Sequence, residues 1–267
     1  MKNYLIIGLL ALAMLSPTTS NGQTLPSGKS IADKTYEKDD GVSVSRKLTM
    51  ELKDKRGKIR IRETTAMRKY FDQEKRLAIF YLTPTSVKGT AFLTFDYPDA
   101  SIDDDQWLYM PALRKTRRIS AANRGDYFLG TDLTYEDIKL ETRISREDYN
   151  YKTVGTEVID GNKTYVLEGT PKNDKIAKEL GYSKVKYWVD AAVWMLRKAN
   201  SWDTAGNHLK TVVISDFKKV QGIWTYHQIE VNNHKTKHQT IFRFSDIDYE
   251  TPLDDAVFTK ETLVNGL

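Results

Sequence analysis

The feature that most constrains this chain is a two-residue alternation of apolar and polar side chains, repeated in segment after segment. In residues 42–53, Val42, Val44, Leu48 and Met50 alternate with polar residues. Successive side chains of an extended strand point to opposite faces, so this pattern predicts a strand with one dry face and one wet face. Because such a strand is not stable by itself, the chain must assemble its strands into a sheet.

Short turn signals separate the alternating segments. Asp160-Gly161 lies between residues 151–159 and residues 163–170, which both look like strands, and predicts a tight hairpin. Connections this short join antiparallel neighbours. We count about eleven strands along the chain and predict a mainly β fold built on one large antiparallel sheet.

Three stretches interrupt the strand pattern and predict short helical pieces. Residues 29–38 and residues 171–181 predict two helices, and a turn is expected near residues 253–263. A sheet with one apolar face needs other parts of the chain to cover that face. We therefore expect the helical pieces to lie over the sheet.

Residues 1–22 predict a secretory signal peptide. A basic start is followed by the apolar residues 4–15 and by a small polar segment that suits cleavage before Gln23. Twelve apolar residues span only about 18 Å as a helix, against a membrane core of roughly 30 Å. We expect residues 23–267 to form one exported, soluble domain. Because the chain has no cysteine, its stability comes from packing without disulfides.

The charge balance argues against a nucleic-acid-binding protein. Lys and Arg number 41 and Asp and Glu 36, which leaves a net charge of only +5. One basic cluster stands out, and it has two interpretations: a site for anionic headgroups or an acidic partner protein, or a solvated loop face. The cluster consists of Arg114, Lys115, Arg117, Arg118 and Arg124.

Motifs of catalysis and metal binding are mostly missing. The sequence has no nucleophile elbow, dinucleotide fingerprint, phosphate-binding loop or zinc-protease motif. His234 and His238 are four residues apart but next to a turn, which favours solvated side chains over a metal site. Asp246 and Asp248 share one strand face, and a polar outer surface explains them better than a glycosidase pair. We predict a protein that is not an enzyme and that uses no metal and no cofactor.

A family resemblance rests on four stretches in a familiar order and spacing. These are residues 87–93 (VKGTAFL), 107–115 (WLYMPALRK), 130–137 (GTDLTYED) and 187–190 (YWVD). The chain resembles the outer-membrane lipoprotein-sorting (LolA-like) proteins of bacterial envelopes, and in particular the branch associated with RND-type exporters. The resemblance covers nearly all of the mature chain.

The resemblance implies a strongly curved antiparallel half-barrel, with short helices as a lid over a concave apolar face that holds acyl chains. It also implies a monomer in the periplasm, with an inner-membrane RND-type exporter as a candidate partner. No position matches the family's gating arginine, so that role is not carried over.

Moving a sixteen-carbon chain from membrane into water costs about 12 kcal/mol, at roughly 0.8 kcal/mol per CH₂. A carrier with a dry groove removes most of that cost without any catalysis.

The leading hypothesis is a non-catalytic periplasmic carrier that binds acyl chains of a lipid or lipoprotein and shuttles them across the envelope. The alternative is an envelope sensor or adaptor that binds an RND-type exporter or another partner through its lid region. A hydrolase of envelope polymers would need a carboxylate pair that the sequence does not reveal. The positions expected to line the acyl cavity are Leu48, Met50, Leu52, Phe80, Leu82, Leu93, Phe95, Leu108, Met110, Tyr187, Val189, Phe242 and Phe244.

Overall fold

The computed structural model describes residues 24–99 and 101–267. The signal peptide predicted for residues 1–22 therefore lies outside the described residues. The described chain is mainly β and forms one curved, open antiparallel sheet of thirteen strands with four short α-helices. None of these helices is long and apolar enough to cross a membrane.

The helices and strands are named in chain order. The helices are α1 (Gly28–Glu37), α2 (Tyr135–Leu140), α3 (Asp174–Leu180) and α4 (Lys260–Asn265). The first six strands are β1 (Ser43–Lys53), β2 (Ile59–Phe71), β3 (Glu74–Thr83), β4 (Ala91–Asp96), β5 (Asp105–Met110) and β6 (Lys115–Ile119). The other seven are β7 (Tyr149–Ile159), β8 (Asn162–Pro171), β9 (Tyr182–Asp190), β10 (Leu196–Asp203), β11 (His208–Val220), β12 (Ile223–Asn233) and β13 (Gln239–Asp248).

The sheet consists of two meanders that meet in its middle. Strands β1 to β6 form one meander and strands β7 to β13 the other, and within each meander every strand pairs with its sequence neighbours. The first and last strands, β1 and β13, join the two halves in antiparallel register, with Met50 opposite Phe242. As a result, β6 and β7 are the two edges of the sheet although they follow each other in sequence.

The sheet must be strongly curved, because one apolar cluster collects side chains from almost all of its strands. The cluster includes Leu48 of β1, Leu108 of β5, Leu167 of β8 and Val212 of β11. A flat sheet of thirteen strands would be about 58 Å wide at roughly 4.8 Å between neighbours. Strands near its two edges could then share no cluster, so the inner face wraps around this one.

Residues 120–148, which we call the crossover segment, connect β6 to β7 across the inner face. The segment contributes Phe128, Leu133, Ile138 and Ile144 to the inner apolar cluster. The Phe128 ring is fully buried and packs edge-on against Phe92 of β4, with 5.1 Å between ring centroids. The connection between the two sheet edges therefore also fills the hollow between them.

The outer face of the sheet has a smaller apolar cluster around its first half. Phe80 of β3 and Leu93 of β4 pack there against Phe258 and Leu263, which belong to the C-terminal helical residues. The turn expected near residues 253–263 is thus a short 3-10 turn followed by α4, and it covers the outer face rather than the inner one.

Two expectations differ from the structure in detail. The sheet has thirteen strands instead of about eleven, and β6 (KTRRI) shows no alternation because four of its five residues are exposed. Charged side chains on an edge strand oppose pairing with other chains.

The helix expected at residues 29–38 is α1, where Ser27 Oγ accepts a hydrogen bond from the Ser30 amide. The cover of the inner face is only partly helical, since α1 contributes Ile31 and Ala32 to the inner apolar cluster but α2 spans just six residues of the crossover segment.

Candidate functional site

The inner apolar face is occupied by the crossover segment. A cavity of about 60 Å³ remains between this segment and residues such as Leu196 and Ile229. Another of about 30 Å³ lies beside Leu48, Ile138 and Phe242. Sites for small molecules usually measure roughly 300–1,000 Å³. The expectation of an unfilled, acyl-length groove is therefore wrong for this conformation, because the chain's own side chains take up the space.

Buried ion pairs hold the end of the crossover segment that precedes β7. Arg46 of β1 donates a hydrogen bond to Glu141, and Arg68 Nε of β2 lies 3.5 Å from Glu141 Oε2. Burial by itself would raise the pKa of Glu141, but these two guanidinium groups hold the pKa well below its usual range. Arg143, two residues further on, is 2.7 Å from Asp40. Such pairs fix where a segment sits more than they add stability.

Polar contacts also hold the middle of the crossover segment. Asp132 is buried, and its Oδ2 accepts from Thr240 Oγ1 at 2.7 Å and lies 2.5 Å from His238 Nδ1. Lys210 Nζ of β11 is 2.6 Å from Asp137 Oδ2. Leu133 and Ile138, which lie between these anchors, belong to the inner apolar cluster, so the segment combines apolar packing with polar attachment points on the sheet.

A larger apolar cavity opens at one end of the inner face. Its volume is about 280 Å³, and the crossover segment borders it through Leu129. Arg62 Nη1 of β2 donates to the Leu129 carbonyl at 2.5 Å and so joins this border to the sheet. Leu113 lies at the surface, with 58% of its area exposed. The other apolar residues of the lining include Tyr81, Val87, Met110 and Pro111.

The structure brings most of the predicted cavity residues onto the inner face. Eight of them belong to the inner cluster or pack against it: Leu48, Met50, Leu108, Met110, Tyr187, Val189, Phe242 and Phe244. Leu52 is also buried, and by the two-residue alternation of β1 it shares the face of Leu48 and Met50. Whether these residues bind acyl chains is part of the proposal below.

Four predicted positions lie on the other side of the sheet. Phe80, Leu93 and Phe95 belong to the outer cluster or pack against it, and Leu82 is 43% exposed. In β3 the inward positions are Leu77, Ile79 and Tyr81, so their neighbours must point outward. Both faces are apolar here because helical residues cover the outer one, and a continuous apolar run does not show which face is which.

The basic cluster of the sequence is divided in the structure. Arg114, Lys115, Arg117 and Arg118 are exposed on β6 and the turn before it, and Arg118 Nη2 lies 2.5 Å from Asp105 Oδ1. Arg124 does not join them.

Arg124 instead pairs with carboxylates of the crossover segment itself and of α3. Its guanidinium is 2.7 Å from Asp148 and 3.3 Å from Glu179. Arg124 is therefore half-buried and paired, unlike the four exposed basic residues, and its part in a headgroup or partner contact stays a prediction.

The other candidate residues take structural positions. His238 is bonded to Asp132, as described above, and the His234 ring packs against His208 with 4.3 Å between centroids. Asp248 accepts from Gln221 Nε2 and thereby links two turns. In the part of the chain that the structure describes, no three His, Asp or Glu side chains gather as metal ligands.

Sequence reasoning missed the arginines that face inward from β1 and β2. Arg46 and Arg68 occupy buried positions, and in β1 the other buried residues are all apolar. A charged residue in the dry register of an alternating strand needs a buried partner. The buried arginine that interrupts the apolar positions was therefore the sign of a buried ion pair in the sequence. Its partner, Glu141, is identified only by the folded structure.

The architecture defines a class of protein: a single curved antiparallel sheet whose apolar hollow is covered by the chain's own crossover and short helices. A family model described as "uncharacterized protein" matches residues 72–265. A DUF1329 family protein from Desulfovibrio piger is 29% identical, with a TM-score of 0.80 over 88% of this chain and 97% of that one. A domain from Vibrio parahaemolyticus described as an outer membrane lipoprotein-sorting protein is 28% identical, with a TM-score of 0.79 over 89% and 98% of the two chains.

A LolA superfamily protein from Nitrosomonas europaea shares the fold, at 22% identity and a TM-score of 0.66 over 89% of this chain and 99% of that one. No protein with a curated description matches the chain. The chain belongs to a LolA-like family, as its sequence motifs indicated.

Proposed function

We propose that this protein is a non-catalytic periplasmic carrier that binds acyl chains of a lipid or lipoprotein and shuttles them across the envelope. The observation that carries the proposal is the way the apolar inner face is closed. Among the described residues the crossover segment pairs with no strand of the sheet, and its isolated bridge joins Tyr127 to Thr134 within the segment. The segment can therefore move away while every ladder hydrogen bond of the sheet stays intact.

The apolar cavity of about 280 Å³ gives the proposed route of entry. Leu129 stands between this cavity and the interior, and its neighbour Phe128 fills part of the inner cluster. An acyl chain that entered beside Met110 and displaced these two side chains would reach the inner face directly. Each CH₂ that leaves water there contributes about 0.8 kcal/mol, which offsets the apolar contacts that the crossover segment gives up.

The exposed basic residues lie next to this entrance. Arg114 and Lys115 follow Leu113, which lines the cavity, directly in the chain. Both side chains are exposed, so an anionic headgroup left outside the cavity would meet positive charge there. The same basic residues would suit the acidic surface of a docking partner.

The first test measures lipid directly. Native mass spectrometry of gently purified mature protein should show a co-purifying lipid, and a fluorescent fatty acid should bind in a saturable manner. We expect Met110→Lys to abolish fatty-acid uptake, because it places a charge in the apolar cavity. Leu82→Lys is the matched control, since it introduces the same charge on the exposed outer face and should bind normally.

Two results would contradict the carrier. One is the absence of any lipid together with no fatty-acid uptake by the wild type. The other is equal uptake by Met110→Lys and Leu82→Lys, which would mean that the fatty acid binds somewhere other than the inner face.

A sensor or adaptor that binds an RND-type exporter or another partner is the second candidate. The observation that favours it is the free edge of β6, which presents Arg117 and Arg118 to solvent. Double charge reversal, Arg117→Glu with Arg118→Glu, should abolish partner capture from envelope extracts while fatty-acid uptake persists. Loss of fatty-acid uptake in the same variant would instead assign these residues to the carrier's entrance.

A further inference from the structure

A further cavity, of about 360 Å³, has a mostly polar lining. Residues from the ends of β4 and β5, from α2 and from α3 form its walls. Its volume falls within the roughly 300–1,000 Å³ of small-molecule sites. The walls carry seven carboxylates and three basic groups. This excess of negative charge favours a cation over an anion.

A buried hydrogen-bond acceptor without a partner faces this cavity. Gln106 of β5 is only 3% exposed, and its Oε1 has no hydrogen-bond partner within the described residues. Asp96 of β4, 7% exposed, also lines the cavity, and its Oδ2 lies 3.2 Å from Lys75 Nζ without hydrogen-bond geometry. Buried polar groups in native proteins are almost always paired. Asp96 Oδ2 keeps its ion pair with Lys75, whereas Gln106 Oε1 has no partner, and the group missing there is a donor.

The cavity wall already accommodates an ammonium group of the chain itself. Lys139 Nζ lies 2.9 Å from Glu136 Oε1 and is hydrogen-bonded to Asp104. Arg124 is similarly held by Asp148 and Glu179. Both basic groups direct donors at carboxylates, and Arg124 Nε is a buried donor without a partner among the described residues. The surplus acceptors are what the cavity offers to a ligand.

We propose that this cavity binds the primary ammonium group of a small molecule, held by Gln106 Oε1 and by the carboxylates of Asp96 and Asp103. Asp103 lines the cavity and forms no ion pair with any residue the structure describes. A divalent metal fits less well, since no metal-ligand cluster exists in the described ranges. The ammonium group belongs either to the ethanolamine headgroup of a lipid or to a free diamine.

Calorimetric titration of the mature protein at pH 7 tests the proposal. Diaminobutane should bind saturably with one site per chain, whereas the neutral butanediol and the dianion succinate should not bind at matched ionic strength. Glycerophosphoethanolamine is titrated in parallel. If it binds more tightly than diaminobutane, the natural ligand is a lipid headgroup; the reverse order indicates a free amine.

The variant Gln106→Met separates a ligand role from a structural one. Removing an unpaired buried acceptor while keeping its volume should leave the Tm unchanged or raise it, yet weaken diaminobutane binding about tenfold. Asp103→Asn should weaken binding by a similar factor. Glu261→Gln on α4 makes the same change of charge outside the cavity lining and should bind like the wild type.

Three outcomes would overturn the proposal. Diaminobutane could fail to bind saturably, or succinate could bind in its place. Alternatively, Gln106→Met and Asp103→Asn could both retain wild-type affinity. None of these measurements involves acyl chains, so the result is independent of the carrier proposal.

Discussion

Truncating Phe128 tests whether the crossover segment opens as a unit of its own. The Phe128 ring is fully buried and packs against two aromatic rings, Phe92 at 5.1 Å and Tyr135 at 5.5 Å between centroids. Replacing a buried phenylalanine by alanine costs about 3–5 kcal/mol. If only the crossover segment detaches, this cost falls on the local opening equilibrium. A change of about 3 kcal/mol then raises the open population more than a hundredfold.

Hydrogen exchange measures this opening residue by residue. The amides of Tyr135 and Ile138 report on the crossover segment, because they donate to Asp126 O and Thr134 O at 3.1 and 3.0 Å. In Phe128→Ala both should lose protection by at least a hundredfold, while amides in the middle of β1 keep theirs. Fatty-acid affinity should rise, because apparent affinity scales with the fraction of binding-competent protein.

Phe258→Ala is the matched control. Phe258 is also fully buried, and its ring packs edge-on against Phe71 at 5.7 Å on the outer face. We expect this variant to lose global stability with no selective loss of protection in the crossover segment. If Phe128→Ala instead lowered protection in the sheet and in the crossover segment by the same factor, the segment would unfold only with the whole domain. The proposed entry mechanism would then be refuted.

Three further perturbations test the charges and the backbone around the crossover segment. Glu141→Gln should cost about 3–5 kcal/mol at pH 7 by leaving Arg46 buried without its carboxylate. Since the pKa of Glu141 is lowered in the folded protein, the stability of the wild type should fall as pH drops below about 4.5. Urea unfolding of Glu141→Gln should show a smaller loss of stability over the same pH range. Burial lowers the pKa of Lys38 to about 8 from 10.5, so the stability of the wild type should rise between about pH 8 and 10. Thermal unfolding of Lys38→Met should not show this rise. Gly125→Ala should increase hydrogen exchange throughout the crossover segment, because a Cβ there would lie 2.7 Å from the backbone of Leu180.

The sequence determined the local structure of the sheet. The alternation of Leu48 and Met50 with polar neighbours is a property of one strand, and the strand predicted within residues 42–53 is β1, Ser43–Lys53. The Asp160-Gly161 turn joins β7 to β8 as expected. These features depend on side-chain period and turn conformation, which involve residues close together in the chain. Strand β6 was not predicted, because its mostly charged residues do not alternate with apolar ones.

For the candidate site, the sequence supplied the residue types but not their assembly. Nine of the thirteen predicted cavity residues lie on the inner face, because most strands of this sheet are apolar on one side only. In β3 both sides are apolar, and the period alone assigned Phe80 and Leu82 to the wrong face. Arg124 looked like a neighbour of Arg117 and Arg118, but carboxylates distant in sequence bury it.

Only the tertiary structure decided what fills the hollow. The pairing of β1 with β13 joins the two ends of the chain and places β6 and β7 at opposite edges, so the segment between them must cross the inner face. Contacts such as Glu141 with Arg46 then position it there. These contacts join residues far apart in sequence, and their energies depend on burial that exists only once the sheet has curved. No local pattern of residues carries that information.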